Sequence, residues 1–244
     1  MGGRGFLRAA VVLLFVAGPA TADTYIIDSH TAMVPAHGEL RLQIAAGPEG
    51  SVLTGANLGL IDRVSVGMSY GMAQVLGRGE LEPNPRPGFQ IQALLLDEPT
   101  LPALALGFDS QGHGRWIDDI DRYERKSPGI YAVVTQNLLV TSYELLSAVN
   151  GGVSYSLEPN RQSIDFFVGA SQSFGRGLSV LIDYDFALDD AAGVDADRGY
   201  LDLGFQWRFG SGNHVRFLLR DLLGNYLGEG KVARELDFFY LLHL

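Results

Sequence analysis

The sequence predicts an all-β protein, a transmembrane antiparallel up-and-down β-barrel of about twelve strands. Three observations support this: apolar and polar residues alternate through many segments, connections of alternating length join them, and the alternation continues to the final residue. In the last segment, residues 234–244, one face holds Leu236, Phe238, Tyr240, Leu242 and Leu244, and the other holds Glu235, Asp237 and His243. A strand between hydrocarbon and a wet interior requires two such faces.

Residues 1–22 have the features of a secretory signal peptide. Arg4 and Arg8 precede an apolar run at residues 9–17, and a small-residue site follows that ends at Ala22. The run is far shorter than the roughly 20 residues that a spanning helix needs. We therefore expect cleavage after Ala22 and export of the rest of the chain.

The composition of the exported chain excludes several kinds of protein. Loss of Arg4 and Arg8 takes the formal net charge from −10 by two units to −12, which argues against a nucleic-acid partner. The chain has no cysteine, which excludes disulfides and a lipid-anchored cysteine. After the signal peptide no apolar run reaches the length of a membrane helix, so a membrane would be crossed by strands. Such strands must close into a barrel, because open edges in lipid leave backbone groups unpaired.

Twelve segments are predicted as strands of a barrel that occupies residues 39–244. They are residues 39–46, 52–60, 63–71, 88–97, 101–108, 129–137, 143–155, 163–172, 177–188, 199–209, 213–222 and 234–244. Most approach the roughly 9 to 11 residues of a tilted membrane strand. Alternation is weakest in the fourth and fifth segments, which are apolar on both faces.

The connections predict which ends of the strands lie together. Short ones fall at residues 61–62, 98–100, 138–142, 173–176 and 210–212, and longer ones at 72–87, 109–128, 189–198 and 223–233. Outer-membrane barrels place short turns in the periplasm and long loops outside, so both termini are expected in the periplasm. Residues 23–38 form a polar N-terminal extension, predicted as a periplasmic tail, with an inward plug as the alternative.

Aromatic residues near the strand ends fit two interfacial belts. Phe174, Trp207, Phe209 and Tyr240 are expected on the periplasmic side, and Tyr70, Phe89, Tyr155 and Phe186 on the outer side. The alternative is a soluble sandwich or lipocalin-like barrel with these aromatics in its core. The membrane interpretation predicts that eight apolar side chains point outward. They are Leu178, Val180, Ile182, Tyr184, Leu201, Leu203, Phe205 and Trp207.

Charged residues on the opposite faces are predicted to line the lumen. They are Asp165, Asp183, Asp185, Asp202, Arg208, Arg216, Arg220, Glu235 and Asp237. Buried charges persist when they are paired or wet, so the set forms either an internal salt-bridge network or the wall of a selective pore. If the short turn at residues 210–212 pairs Arg208 with His214, Asp202 faces Arg220 as an ion pair.

Two acidic loops contain the residues that could form a catalytic or calcium site. The loop at 109–127 is expected outside, with His113, Asp118, Asp119 and Asp121 on it. Ser110 and His113 lack the geometry of a nucleophile and base. The acids of this loop, Glu124 included, could bind calcium, and so could the second acidic loop with Asp189, Asp190, Asp195 and Asp197. Neither loop has the ligand spacing of an EF-hand, so solvated acidic loops are favoured. We predict no catalytic residue, metal or cofactor.

A resemblance to a known family covers under half of the mature chain. The segments GLIDRVSVGMSYG (59–71), NPRPGFQIQ (84–92), PALALGFDSQGHG (102–114), SPGIYAVVTQNL (127–138) and GGVSYSLE (151–158) resemble parts of the YjbH-like, exopolysaccharide-associated bacterial outer-membrane barrels and their short relatives. The resemblance implies the same fold and location. Larger members of that family have domains that this chain is too short to hold.

These features predict a non-enzymatic outer-membrane barrel, either a small passive channel or an accessory to envelope or exopolysaccharide transport. The alternatives are a lipid hydrolase and a structural or adhesion barrel. The implied partners are outer-membrane lipid, the barrel-assembly machinery through the apolar C-terminal strand, and polysaccharide or small solutes.

Overall fold

The computed structural model describes residues 23–98, 101–140, 145–159, 162–174, 177–190, 199–210, 212–225 and 232–244. The predicted signal peptide and the acidic residues Asp195 and Asp197 lie outside these ranges. Among the described residues, no helix is long and apolar enough to cross a membrane.

The described residues are almost entirely β-strand and turn. The strands are β1 (Glu39–Ala46), β2 (Val52–Ile61), β3 (Val64–Ala73), β4 (Glu82–Pro83), β5 (Gly88–Leu96), β6 (Ala103–Asp109), β7 (His113–Ile117), β8 (Arg122–Arg125), β9 (Gly129–Val140), β10 (Leu145–Tyr155), β11 (Ile164–Ser173), β12 (Leu178–Asp185), β13 (Tyr200–Phe209), β14 (Asn213–Arg220) and β15 (Ala233–His243). Two single-turn 3₁₀ helices lie at Pro48–Gly50 and Asp118–Ile120.

Twelve of the described strands close into one antiparallel ring. Going round it, β1, β2, β3, β5, β6 and β9–β15 each pair with the next, and β15 pairs with β1, where Leu42 lies opposite Tyr240. β4 adds two residues beside β3, and β7 and β8 form a separate hairpin in the longest connection. The predicted all-β barrel of about twelve antiparallel strands is confirmed.

The outer face of the ring is apolar all the way round. Each ring strand exposes at least one large apolar side chain: Ile44, Leu60, Met68, Ile91, Leu106, Val134, Val153, Phe166, Ile182, Phe205, Phe217 and Phe238. The eight side chains predicted to point outward are exposed or half-buried, whereas their neighbours Asp183, Asp202 and Gln206 are buried inside. An apolar belt of this size is not expected on a water-soluble monomer.

The register across the last short turn is the predicted one. Arg208 lies opposite His214 and Gln206 opposite Arg216. Asp202 and Arg220 share the interior, with a carboxylate oxygen 3.8 Å from a guanidinium nitrogen. Both side chains have closer partners elsewhere, which are described below.

The weak alternation of β5 and β6 has a structural cause. Their inner side chains Leu94, Ala103 and Ala105 are buried in a small apolar cluster, against which Met33 of the N-terminal extension packs. These strands are therefore apolar on the outside towards the belt and on the inside towards the extension. The pairing register also shifts between Leu94 and Leu96, which blurs the pattern further.

The N-terminal extension lies inside the barrel. Of the two positions that the sequence left open for residues 23–38, a tail and a plug, the structure shows a hairpin within the ring. Its tip is a turn in which the Ile26 amide donates to the Ser29 carbonyl over 3.0 Å, and below it the Thr31 amide donates to the Thr24 carbonyl over 2.8 Å. We call residues 23–34 the plug segment.

A glycine on β6 makes room for a large inner side chain. Gly107 pairs with Tyr131 on β9, and a Cβ at position 107 would overlap the tyrosine ring and lie 2.8 Å from the Ile91 carbonyl oxygen. We predict that Gly107→Ala lowers the free energy of unfolding by about 1–3 kcal/mol through overpacking. The control is Gly151→Ala, whose new Cβ would meet its nearest neighbour, Val168, at 3.6 Å. Equal urea midpoints for the two variants in detergent would contradict this prediction.

Candidate functional site

The tip of the plug segment binds one carboxylate of the barrel wall. The backbone amides of Ile27, Asp28 and Ser29 all donate to Oδ2 of Asp183, over 3.2, 2.8 and 2.7 Å. Successive amides that converge in a turn form an anion-binding nest. Asp183, which was predicted as a lumen charge, therefore accepts hydrogen bonds from the backbone of the plug segment.

Other wall side chains contact the backbone of the returning arm. Asn150 on β10 donates to the His30 carbonyl, and Gln92 on β5 donates to the Thr31 carbonyl over 2.8 Å. Thr135 on β9 accepts from the Ala32 amide over 2.8 Å. The wall thus satisfies the polar backbone groups that the segment buries.

Asp28 on the plug tip lies at the centre of a buried charge cluster. Its carboxylate is 2.6 Å from Arg125, 2.5 Å from Arg220 and 3.3 Å from the His113 ring. Although burial alone would raise it, these neighbouring positive groups hold the pKa of Asp28 well below its usual range. Arg125 precedes β9 and Arg220 ends β14, so one plug residue links two distant parts of the chain.

The two arginines of this cluster are shared among four carboxylates. Arg125 also lies 2.7 Å from Asp202 and 3.0 Å from Asp185. Arg220 also lies 2.6 Å from Glu235. The predicted ion pair of Asp202 and Arg220 is therefore the longest link in a larger network. We call these residues, with Asp28, the Asp28 cluster.

A second group of charges surrounds the start of the plug segment. Asp23 lies 2.8 Å from Arg208 and 3.6 Å from Arg216. Arg216 also donates to the Gln206 side chain over 2.7 Å, and its guanidinium stacks on the Phe239 ring. The nine predicted lumen residues all lie on the inner side of the strands. They include Asp165 and Asp237, which are buried there.

Three members of these groups, Asp23, Asp28 and Arg125, escaped the sequence prediction. Asp23 and Asp28 are in the extension that was predicted as a tail. A signal was present, because the extension contains the apolar pair Ile26 and Ile27 directly before Asp28. In the structure both are buried against Leu181 and Leu218 of the inner wall.

The hairpin β7–β8 has a buried base and an exposed tip. At its base His113 and Arg125 reach Asp28, whereas Asp118, Asp119 and Asp121 at its tip are exposed as predicted. His113 is therefore not a residue of a solvated loop. Ser110 is not placed beside it as a nucleophile, since its hydroxyl accepts from the Phe89 amide over 2.9 Å.

The prediction of a solvated acidic loop is wrong for Asp189 and Asp190. Both are buried: Asp190 lies 2.6 Å from Arg122, and the Asp189 carbonyl accepts from Lys126 over 2.9 Å. Burial raises the pKa of Asp189 to about 7. The base of the longest loop covers these carboxylates, which the sequence pattern alone did not reveal. Among the described residues, no cluster of three or more His, Asp or Glu is arranged to hold a metal ion.

A cavity remains beside the plug segment. It is continuous with solvent and lies between the plug and the inner faces of β1–β3, β14 and β15. Its polar lining includes Arg41, Gln43 and Asn57 together with Asp23, Asp28, Arg216, Arg220 and Glu235. The interior is thus filled on one side and open on the other.

The half-buried position of His113 beside two arginines predicts a loss of stability in mild acid. Burial, with help from Arg220 and Arg125 and against the effect of Asp28, lowers the pKa of His113 from 6.5 to about 4. As the pH falls through this interval the unfolded chain takes up a proton before the folded one, so folding is weakened. Between about pH 7 and about pH 4.5, the wild type should lose about 1–3 kcal/mol more than His113→Asn. Parallel pH profiles of urea stability for the two proteins would contradict this.

Comparison with known proteins adds little to the geometry. No protein-family model and no curated protein matches the chain. Solved structures that are similar include a KdgM porin, at 7% identity over 84% of this chain and 99% of that one with a TM-score of 0.49. A NanC porin has 7% identity over 84% and 98% with a TM-score of 0.45, and OmpF of Salmonella typhi has 16% over 78% and 61% with a TM-score of 0.33. The fold assignment rests on the strand pairing, and the YjbH-like resemblance stays a prediction.

Proposed function

We propose that the protein is a non-enzymatic barrel of the bacterial outer membrane that forms a small passive channel for solutes, narrowed by its own plug segment. The observation that carries the proposal is the cavity, open to solvent and lined in part by polar and charged side chains, inside a ring whose outer face is apolar. A polar lumen within an apolar belt is the arrangement that membrane channels of this type use. The long loops would then face outward and both termini the periplasm.

The competing functions have less support. The hydrolase alternative needs a nucleophile beside a base, and Ser110 and His113 each have other partners. A role in exopolysaccharide transport rests on the sequence resemblance alone. We therefore place the channel first.

The test is planar-bilayer conductance of the refolded protein, with phospholipid hydrolysis measured on the same sample. We expect discrete conductance steps and no hydrolysis. Hydrolysis without conductance would overturn the proposal.

A variant pair connects the conductance to the cavity. Gly55 faces the cavity, whereas its neighbour Thr54 is exposed on the outer face. Gly55→Trp should reduce the conductance by filling the space, and Thr54→Trp should leave it unchanged. An equal effect of both substitutions would place the conducting path elsewhere.

A further inference from the structure

We propose that the inner wall formed by β5, β9, β10 and β12 is a binding site for a peptide hairpin, and that the plug segment is its exchangeable ligand. This inference rests on the proposed function only in assigning a consequence to exchange, namely a wider channel. The binding itself is argued from contacts and is measured separately.

The wall recognises backbone. Asp183 accepts from three consecutive amides, Asn150 and Gln92 donate to carbonyls, and Thr135 accepts from another amide. One polar side chain from each of the four strands thus contacts a main-chain group of the segment. Main-chain hydrogen bonds of this kind supply affinity in many peptide complexes, and side-chain pockets supply register.

Four side chains of the segment fix its position along the wall. Ile26 and Ile27 fill an apolar site against Leu181 and Leu218, and Ala32 fills a second site. Between them the Asp28 carboxylate is held by two guanidiniums. Charge-assisted bonds of this kind are the stronger class of hydrogen bond, so Asp28 should contribute most to specificity.

The segment is a ligand rather than a strand of the fold. The twelve-stranded ring is closed by β1 and β15 without it, and the segment contributes no strand to that ring. It joins β1 through Ala36 and His37, which are exposed. The cavity on its other side is open to solvent, so the segment can leave without crossing a packed core.

The experiment cuts the tether after folding. A specific protease site is inserted between Ala36 and His37 in the full chain, the protein is refolded in detergent, and the site is cleaved. A fluorescent synthetic peptide of residues 23–34 is then added, and its uptake is followed by anisotropy. We expect saturable exchange, with unlabelled peptide competing and an Asp28→Asn peptide competing roughly tenfold less well or worse.

Wall variants and a lock make the result specific. Asp183→Ala should weaken uptake, whereas Gln43→Ala, which lines the cavity without contacting the segment, should not. The chain has no cysteine of its own, so Ser29→Cys with Asn150→Cys provides a reversible lock, and the oxidised nicked protein should take up no peptide. Failure of the nicked protein without the cysteine pair to exchange, or unfolding of the barrel once the segment leaves, would overturn the proposal.

The two proposals fail in different ways. Peptide exchange in a protein that never conducts would overturn the channel and leave the peptide site. Conductance in a nicked protein that exchanges no peptide would overturn the peptide site and leave the channel.

Discussion

Replacing Arg125 with methionine is expected to lower the free energy of unfolding by about 3–5 kcal/mol. Asp28, Asp185 and Asp202 all lie within 3.0 Å of this guanidinium, and the side chain is 6% exposed. Its removal takes the nearest guanidinium from Asp185 and Asp202 and one of two guanidiniums from Asp28, in an interior where these groups are largely buried. Carboxylates that lose a positive partner there are costly, because little water is available to solvate them.

Because the Asp28 cluster has more carboxylates than guanidiniums, each acid should contribute less to the free energy of unfolding than Arg125 does. Two arginines are surrounded by four carboxylates, so Asp28→Asn removes surplus negative charge and leaves Arg125 and Arg220 with other partners. We therefore expect Asp28→Asn to cost less than Arg125→Met. Urea unfolding in detergent measures both.

The matched control for Arg125 is an arginine on the same hairpin. Arg115 is 46% exposed and lies 3.8 Å from Glu82. Exposed pairs contribute only about 0–1 kcal/mol, so Arg115→Met should shift the urea midpoint little. A shift for Arg125→Met no larger than that for Arg115→Met would show that the Asp28 cluster does not stabilise the barrel.

Replacing Ile182 with arginine is expected to cost about 2–4 kcal/mol in a bilayer. Ile182 lies in the middle of β12 and is 47% exposed on the outer face. A charge at the centre of the hydrocarbon layer loses its hydration, whereas on a soluble protein the same exposed position would tolerate arginine within about 0.5 kcal/mol. The variant therefore distinguishes the two environments.

A residue at a different depth in the bilayer provides the control for Ile182→Arg. Leu178 is exposed on the same strand but is its first residue, beside a short turn. Leu178→Arg should cost only about 0–1 kcal/mol, because its side chain can reach the interface. Refolding into vesicles with urea titration gives both values. Equal and negligible costs at the two positions would exclude a bilayer around this strand.

Strand positions, faces and register were largely predictable because they depend on local pattern. Period-two alternation decides which side chains of β12 and β13 are inside, and the short turn after Phe209 sets the pairing of Arg208 with His214. The pattern was weakest where a strand has apolar residues on both faces. In β5 and β6 the inner face meets the plug segment, and no pattern within those strands records that contact.

The candidate site was less predictable because its contacts join distant parts of the chain. Asp28 lies 97 residues from Arg125 and 192 from Arg220 in sequence. Asp183, Asp202 and Arg220 could be assigned to the lumen from alternation, and an inward plug was one of two alternatives for the extension, but no local pattern indicated which of its residues would lie among them. Likewise, Asp189 and Asp190 look like solvated loop acids until the loop base that covers them is known.

The seam between β1 and β15 has a consequence for the order of folding. Every other pair in the ring joins strands that are adjacent along the chain or separated only by β4 or the β7–β8 hairpin, whereas Glu39 pairs with His243 about 200 residues away. Contacts of such long range form late, since the chain between them must be ordered first. The plug segment can enter only a wall that is already assembled, and the predicted cleavage after Ala22 would leave its near end as a chain terminus. It can therefore thread into the closed ring as the last native step, and slow refolding phases should report seam closure and then threading.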